Sequence, residues 1–311
     1  MSKILAIVLF AFAVTANAKE NITVLYAFSA SDTTANYSRV MLEEANRIQN
    51  KYNFIFDAKP GAGGTLAALA VSNTPNTILH HSTAFFVRPN FFPKESWDLA
   101  QYREEFVLCR APMSISSSKY SKWSEIGNKP VTVGISGLGV TTHIVAVKLQ
   151  ERFPNMVIVP FKSTTDAVLS MVTGNTDLAI GFSGELTQWI NAGKVHVLGI
   201  TGTRSHPGFP SLTGQGFDPI FGQMLVGQHY VVPASWSEDK SRELYDIFAQ
   251  AAKSKTVTDS FRDDFCAPEP TTYKDLSKFY DFQTDYSSRD RMPTVACSSS
   301  NGYTVRLVGC R

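Results

Sequence analysis

The chain lacks the signatures of metal, redox and nucleotide chemistry. It has only four cysteines in 311 residues. No cysteine pair has Cys-x-x-Cys spacing, and no His-x-x-x-His or His-Glu-x-x-His pattern occurs, so a metal site is not expected. His80 and His81 are adjacent and point different ways in a strand or helix, which makes them a poor ligand pair. The glycine run Ser136-Gly137-Leu138-Gly139 is not a dinucleotide fingerprint, because Thr142 stands at the last glycine position and no acid follows at the usual distance. No Gly-Lys-Ser/Thr ends a phosphate loop, and Ser183-Gly184-Glu185 lacks the closing glycine of a hydrolase elbow. Asp32, His143 and Ser183 are present, but nothing brings them to proton-transfer range. Neither an enzyme nor a cofactor is implied. A formal net charge of only +2 gives no electrostatic case for nucleic acid. After the first residues, no apolar run reaches the roughly 18 residues of a membrane span.

What is there begins with an export signal. Lys3 supplies a positive start, residues 4–14 an apolar stretch, and Ala16-Asn17-Ala18 a small-x-small cleavage signal. Cleavage is expected near Ala18, giving an exported protein, periplasmic in a bacterial cell, with no lipobox cysteine to anchor it. What remains suits two packed lobes better than one growing core. Four cysteines in an exported chain suggest two disulfides, with three connectivities open. Cys297 and Cys310 flank Asn301-Gly302, a hairpin turn signal. Cys297–Cys310 is therefore the first expected pair, leaving Cys109–Cys266 as a long-range staple.

The chain is organised around Pro60-Gly61-Ala62-Gly63-Gly64-Thr65. An alternating strand, 52–58, precedes this turn and an Ala/Leu-rich helix follows it. Strand, glycine turn and helix together present backbone N–H groups at the positive end of a helix, which favours an anion. The same unit recurs at Ser136–His143 and at 160–166, where Ser163 or Thr164 caps a helix and Lys162 offers a charge. Residues 29–34 and 82–83 are further polar strand ends. Residues 106–115 read as one strand, 87–103 as an aromatic connection with no clean period, and 227–232 as a return strand. Residues 236–253, 256–265 and 271–282 read as helices. At least six repeats of strand, small-residue loop and helix predict an α/β fold with a largely parallel sheet, whose ligands sit beyond the carboxyl ends of the strands. Polar loops from both halves of the chain would then face each other across a cleft.

The ordered set Pro60-Gly61-Ala62-Gly63-Gly64, Gly137-Leu138-Gly139 with Thr142-His143, and Val159-Pro160-Phe161-Lys162 resembles a known family. Gly193-Lys194-Val195-His196-Val197-Leu198-Gly199-Ile200, Arg204, Pro210-Ser211-Leu212 and Val232-Pro233-Ala234 continue it. The family is that of the periplasmic substrate-binding proteins of tripartite tricarboxylate transporters (TctC or Bug), and the resemblance covers roughly 21–282. It implies a two-lobed type II periplasmic-binding-protein (Venus-flytrap) fold that captures a small carboxylate for a membrane permease. The expected lobes are 19–107 with 228–283, and 108–227; residues 284–311 form a disulfide-tied hairpin appendage. Carried over, the family's carboxylate grip falls on Ser29, Ser31, Asp32, Gly63, Gly64 and Thr65, with Thr141, Thr142, Thr164 and Asp166 opposite. Asp32 matches a family aspartate that orients the first loop or accepts a ligand amine. Ser29-Ala30-Ser31 replaces the family's Pro-Gly-Gly, so ligand identity is not inherited. The partners implied are a small carboxylate and a permease, with the protein a monomer. The alternative is a secreted sensor that presents the solute to a membrane receptor.

Overall fold

The computed structural model describes residues 18–94 and 97–266. The residues before 18, the expected helix at 271–282 and the tail with its Cys297–Cys310 hairpin lie outside them. The chain alternates β1 (Glu20–Tyr26), α1 (Thr33–Ile48), β2 (Tyr52–Ala58), α2 (Thr65–Asn73), β3 (Thr77–Ser82), α3 (Ala84–Phe91) and β4 (Tyr102–Pro112). It continues through β5 (Ser114–Ser117), β6 (Val131–Ile135), α4 (Thr141–Gln150), β7 (Met156–Pro160), α5 (Thr164–Val172), β8 (Leu178–Gly181), α6 (Ser183–Asn191) and β9 (His196–Ile200). It ends in β10 (Leu225–Pro233), α7 (Glu238–Ala251) and α8 (Lys255–Phe261).

Two mixed sheets result, ordered β2-β1-β3-β10-β4 and β7-β6-β8-β5-β9. In the first, β1 runs parallel to β2 and β3, and β10 is antiparallel to β3 and β4. In the second, β6 is parallel to β7 and β8, and β5 is antiparallel to β8 and β9. Each sheet's antiparallel member arrives from the other sheet: β5 directly after β4, and β10 after β9. The parallel strands are near-continuous apolar runs because helices cover both faces. Ile22, Val24, Ile78, Val133, Ile135 and Leu178 are all fully buried.

The crossing is narrow. Met113 donates its N–H to Thr201 Oγ1 at 2.8 Å, and its carbonyl accepts the Thr201 N–H at 2.9 Å. The expected single strand 106–115 is thus two strands in different sheets, broken where Pro112 ends the ladder and Met113 changes partner. The expected connection at 87–103 also needs correction. Residues Ala84–Phe91 are helical with Pro89 inside, and a proline within an amphipathic run masks the helical period.

Cys109 in β4 is bonded to Cys266, with Cα atoms 5.4 Å apart and a sequence separation of 157. This is the expected long-range staple. It ties the segment after α8 to the edge of the first sheet. Among the described residues, no helix is long and apolar enough to cross a membrane.

Candidate functional site

A cavity lies between the strand ends of the two sheets. It is small, about 40 Å³. Tyr26, Phe28, Asp32, Thr34, Ser82 and Gln228 wall it from the first sheet's side, and Ser136, Val140, Thr141, Thr142, Ser163, Thr164 and Phe182 from the second. Met113 of the crossing and Val226 complete it. No Lys, Arg or His lines the cavity. Among the described residues, no group of three or more His, Cys, Asp or Glu converges to hold a metal ion.

Asp32 occupies the N-cap of α1 with an extended backbone, yet its carboxylate does not bond that helix's N–H groups. It turns sideways instead, accepting from the Tyr26 hydroxyl at 3.4 Å and, across the cleft, from the Thr165 hydroxyl at 3.5 Å. Both bonds are long for an ionised acceptor. Burial raises the Asp32 carboxyl to about 7, with the hydroxyl bonds only partly opposing it. Behind it, Glu185 on α6 accepts from Thr164 Oγ1 at 2.6 Å, Thr165 Oγ1 at 3.2 Å and the Phe182 N–H at 3.1 Å. Burial raises Glu185 to about 8. Thr165 has a single hydroxyl proton for two acids, so a proton on one acid completes this bridge between the sheets.

The opposite wall is the start of α4. Val140 precedes the helix and supplies no side-chain cap; the His143 and Ile144 N–H groups bond its carbonyl, while those of Thr141 and Thr142 have no intrahelical acceptor. Thr142 Oγ1 is used locally, bonding Ser136 Oγ at 2.9 Å and its N–H at 3.1 Å. Thr141 Oγ1 is buried and has no hydrogen-bond partner. His143 lies just below and accepts the Gly139 N–H on Nδ1 at 3.2 Å. Burial lowers its pKa to about 4, which keeps it neutral. Beside α4, Ser163 caps α5 by accepting the Asp166 N–H at 3.0 Å.

Four of the predicted residues, Asp32, Thr141, Thr142 and Thr164, line the cavity. Ser29, Ser31, Gly63, Gly64, Thr65 and Asp166 do not line it. Ser29 and Ser31 bond each other through their hydroxyls at 2.8 Å. Asp166 is exposed, as is Lys162. The glycine loop is packed from within: a Cβ on Gly63 would meet the Arg88 guanidinium, and one on Gly64 the His81 ring. Thr65 Oγ1 donates to the Ala62 carbonyl at 2.8 Å and accepts from Arg88 Nε at 3.3 Å. Sequence reasoning passed over Tyr26, Gln228 and Met113 as strand positions, while Thr34 lay in the polar strand end 29–34 that it did place at the cleft. The available signal was that strand ends, and not only loops, face the cleft in an α/β sheet.

The sequence matches the tripartite tricarboxylate transporter family receptor over residues 38–280. The chain belongs to that family. Membership makes it a chain of a receptor family and not of an enzyme family. It is 24% identical over 172 residues to a UPF0065 protein from the tcbD-tcbE intergenic region of Pseudomonas sp. (strain P51). That match spans about half of each chain, 51% of both. The family chain also resembles solved structures. The periplasmic binding protein BugD superposes with a TM-score of 0.77 at 17% identity, covering 86% of this chain and 95% of that one. MatC from Rhodopseudomonas palustris with bound malate gives 0.76 at 17% identity, covering 86% and 99%. At these identities the likeness establishes the fold, a two-domain α/β architecture of the type II periplasmic-binding-protein kind.

Proposed function

We propose that this receptor captures a small carboxylate-containing solute in the cleft between its two sheets, outside the cytoplasmic membrane, and delivers it to a permease of the tripartite tricarboxylate type. The observation that carries the reading is the start of α4. An uncapped helix N-terminus and the buried, unpartnered Thr141 hydroxyl lie at the cavity wall, and such a group is left without a partner at a cost unless something fills it. The related Rhodopseudomonas palustris structures hold malate and adipate, which supports a carboxylate class here. The expected lobes, 19–107 with 228–283 and 108–227, are kept in outline. Their changeovers are drawn at Met113 and between Ile200 and Leu225, where strand pairing changes sheet. Cleavage near Ala18 and a Cys297–Cys310 hairpin tail belong to the same reading.

The test is a thermal-unfolding panel of small carboxylates on protein freed of solute by unfolding and refolding with disulfides intact. A true ligand at a thousandfold excess over Kd adds about 4 kcal/mol to the native state. Thr141→Val is expected to leave the ligand-free midpoint unchanged, because no protein bond is lost. It should weaken the ligand by about tenfold, one hydrogen bond to a charged group. A flat panel with well-folded protein would overturn the capture reading.

A further inference from the structure

The Thr164 hydroxyl is claimed from two sides. Thr164 opens α5 and lines the cavity on the same side as the α4 start. Its Oγ1 donates at 2.6 Å to Oε1 of Glu185, which lies behind the cavity wall on α6. Among the described residues that hydroxyl has no second partner. Glu185 itself is held from three directions. Oε1 also accepts from Thr165 at 3.2 Å, and Oε2 accepts the Phe182 N–H at 3.1 Å. A Cβ on Gly181 would stand 2.7 Å from Oε2, so β8 ends in a glycine where the carboxyl sits.

The titratable groups around Glu185 are acids and phenols. Asp32, at the N-cap of α1, accepts from Tyr26, Thr165 and Ser163. Asp166 of α5 adds negative charge beside it. Asp264, after α8, accepts the Gly184 N–H at 2.5 Å and the Tyr37 hydroxyl. The Arg39 guanidinium of α1 donates to the Ala30 carbonyl at 2.7 Å and lies over the Phe56 ring. Arg88 of α3 bonds Thr65 and the Leu138 carbonyl. Burial, with Asp264 and Asp32 adding to it, raises Glu185 to about 8. It therefore holds a proton at neutral pH and loses it just above.

We propose that Glu185 is a positioning residue for capture: carrying a proton, it donates to Thr164 and turns that hydroxyl's own proton into the cavity, so that the solute carboxylate binds with Glu185 protonated. The inference rests on the capture reading above. A threonine hydroxyl has one proton to give. With Glu185 ionised, that proton lies on Oε1 and the cavity meets a lone pair, which repels a carboxylate. With Oε1 protonated, the acid donates along the same line and the Thr164 proton is free for the solute. Thr165 is released to Asp32 at the same time. A carboxylate has about four acceptor positions. The Thr141 and Thr142 N–H groups and the Thr141 hydroxyl offer three donors, and Thr164 supplies the fourth. An acid that only capped α6 would hold the Phe182 N–H in either state and leave capture indifferent to pH.

The experiment is titration calorimetry on solute-free protein with L-malate, adipate and propionate as probes. Runs at pH 7 and 9, each in two buffers of different ionisation enthalpy, count the protons exchanged. At pH 9 the wild type should take up close to one proton on binding. Glu185→Gln, neutral at every pH and still able to donate to Thr164, should match the wild type at pH 7 and bind about tenfold tighter than it at pH 9. A damaged cap would weaken binding at both pH values and would not produce that gain. Thr164→Val keeps the acid and removes the shared hydroxyl, so it should bind more weakly at pH 7 and lose the uptake at pH 9; it decides the matter should Glu185→Gln fail to fold. Binding without proton uptake in the wild type, or uptake that persists in either variant, overturns the proposal and leaves capture standing. Failure of all three acids to bind at either pH removes the capture reading, and this proposal with it.

Discussion

A Cβ on Gly64 would stand 2.0 Å from Nε2 of His81, and the backbone there has a φ of +93°. Gly64→Ala therefore combines left-handed strain with a collision against a fully buried ring. The ring cannot escape by charging, since burial holds its pKa down to about 3. The substitution should lower stability by more than about 2 kcal/mol, the sum of αL strain and overpacking, seen as a lower thermal midpoint. Adding His81→Ala should return the steric part and leave the backbone part; full recovery, or no loss in the single variant, would refute this account. At this scale the sequence announced that the turn at 61–64 needs glycines, at 61, 63 and 64, because a turn between strand and helix demands positive φ. What it could not announce is the occupant of the space behind them. Arg88 and His81 reach the loop from α3 and β3, and their nearness is created only by the pairing of β1 with β3 and the packing of α3. Thr141 was legible for the opposite reason: a helix start after a small-residue loop is a local feature, and the fold merely aims it.

The strands and most helices were legible because each is bounded by its own punctuation. Ser163, Ser237 and Ser254 cap their helices by accepting N–H bonds, and Gly174 and Gly193 end theirs with positive φ. The failures lie where tertiary context overrides local pattern: α3 hidden by Pro89, and one apolar run divided between β4 and β5. β4 also carries an acid that its apolar setting does not welcome. Glu105 is 3% exposed, and burial raises its carboxyl from 4.5 to about 7, with Ser241 and Arg103 only partly opposing. With the folded pKa above the unfolded one, the native chain binds more protons between these values, so stability falls as pH rises from about 4.5 to 7 and is level above. Glu105→Gln should thus stabilise the protein at pH 8 by up to about 3 kcal/mol and have almost no effect at pH 4. Denaturant midpoints at the two pH values check this. Equal effects at both would show that packing, not ionisation, governs the site.

At the scale of the whole molecule, the two sheets are joined by few bonds, and those decide how readily the cleft opens. The Met113 and Thr201 pair lies at the crossing beside the cleft. The contacts between Asp32 and Thr165 and between Asp264 and the Gly184 N–H reach across it. A further side-chain latch is Arg88. From α3 its Nη1 donates to the Leu138 carbonyl of the β6–α4 loop at 2.7 Å, while its guanidinium covers the Phe92 ring at 4.4 Å. Phe92 in turn rests against Gly139, where a Cβ would come within 2.7 Å of the ring. A hydrogen bond from a charged donor is worth about 1.5–3 kcal/mol, and an equilibrium shifts tenfold for every 1.4 kcal/mol. Arg88→Met keeps much of the stem and deletes the latch, so the closed-to-open ratio should drop by about tenfold or more. Small-angle scattering of the solute-free protein should then report a larger radius of gyration than the wild type. Solute affinity should weaken in parallel, because binding must now restore closure that the wild type holds for itself. Superposable scattering curves with weakened affinity would place the role of Arg88 in shaping the glycine loop. Superposable curves with unchanged affinity would leave it as packing.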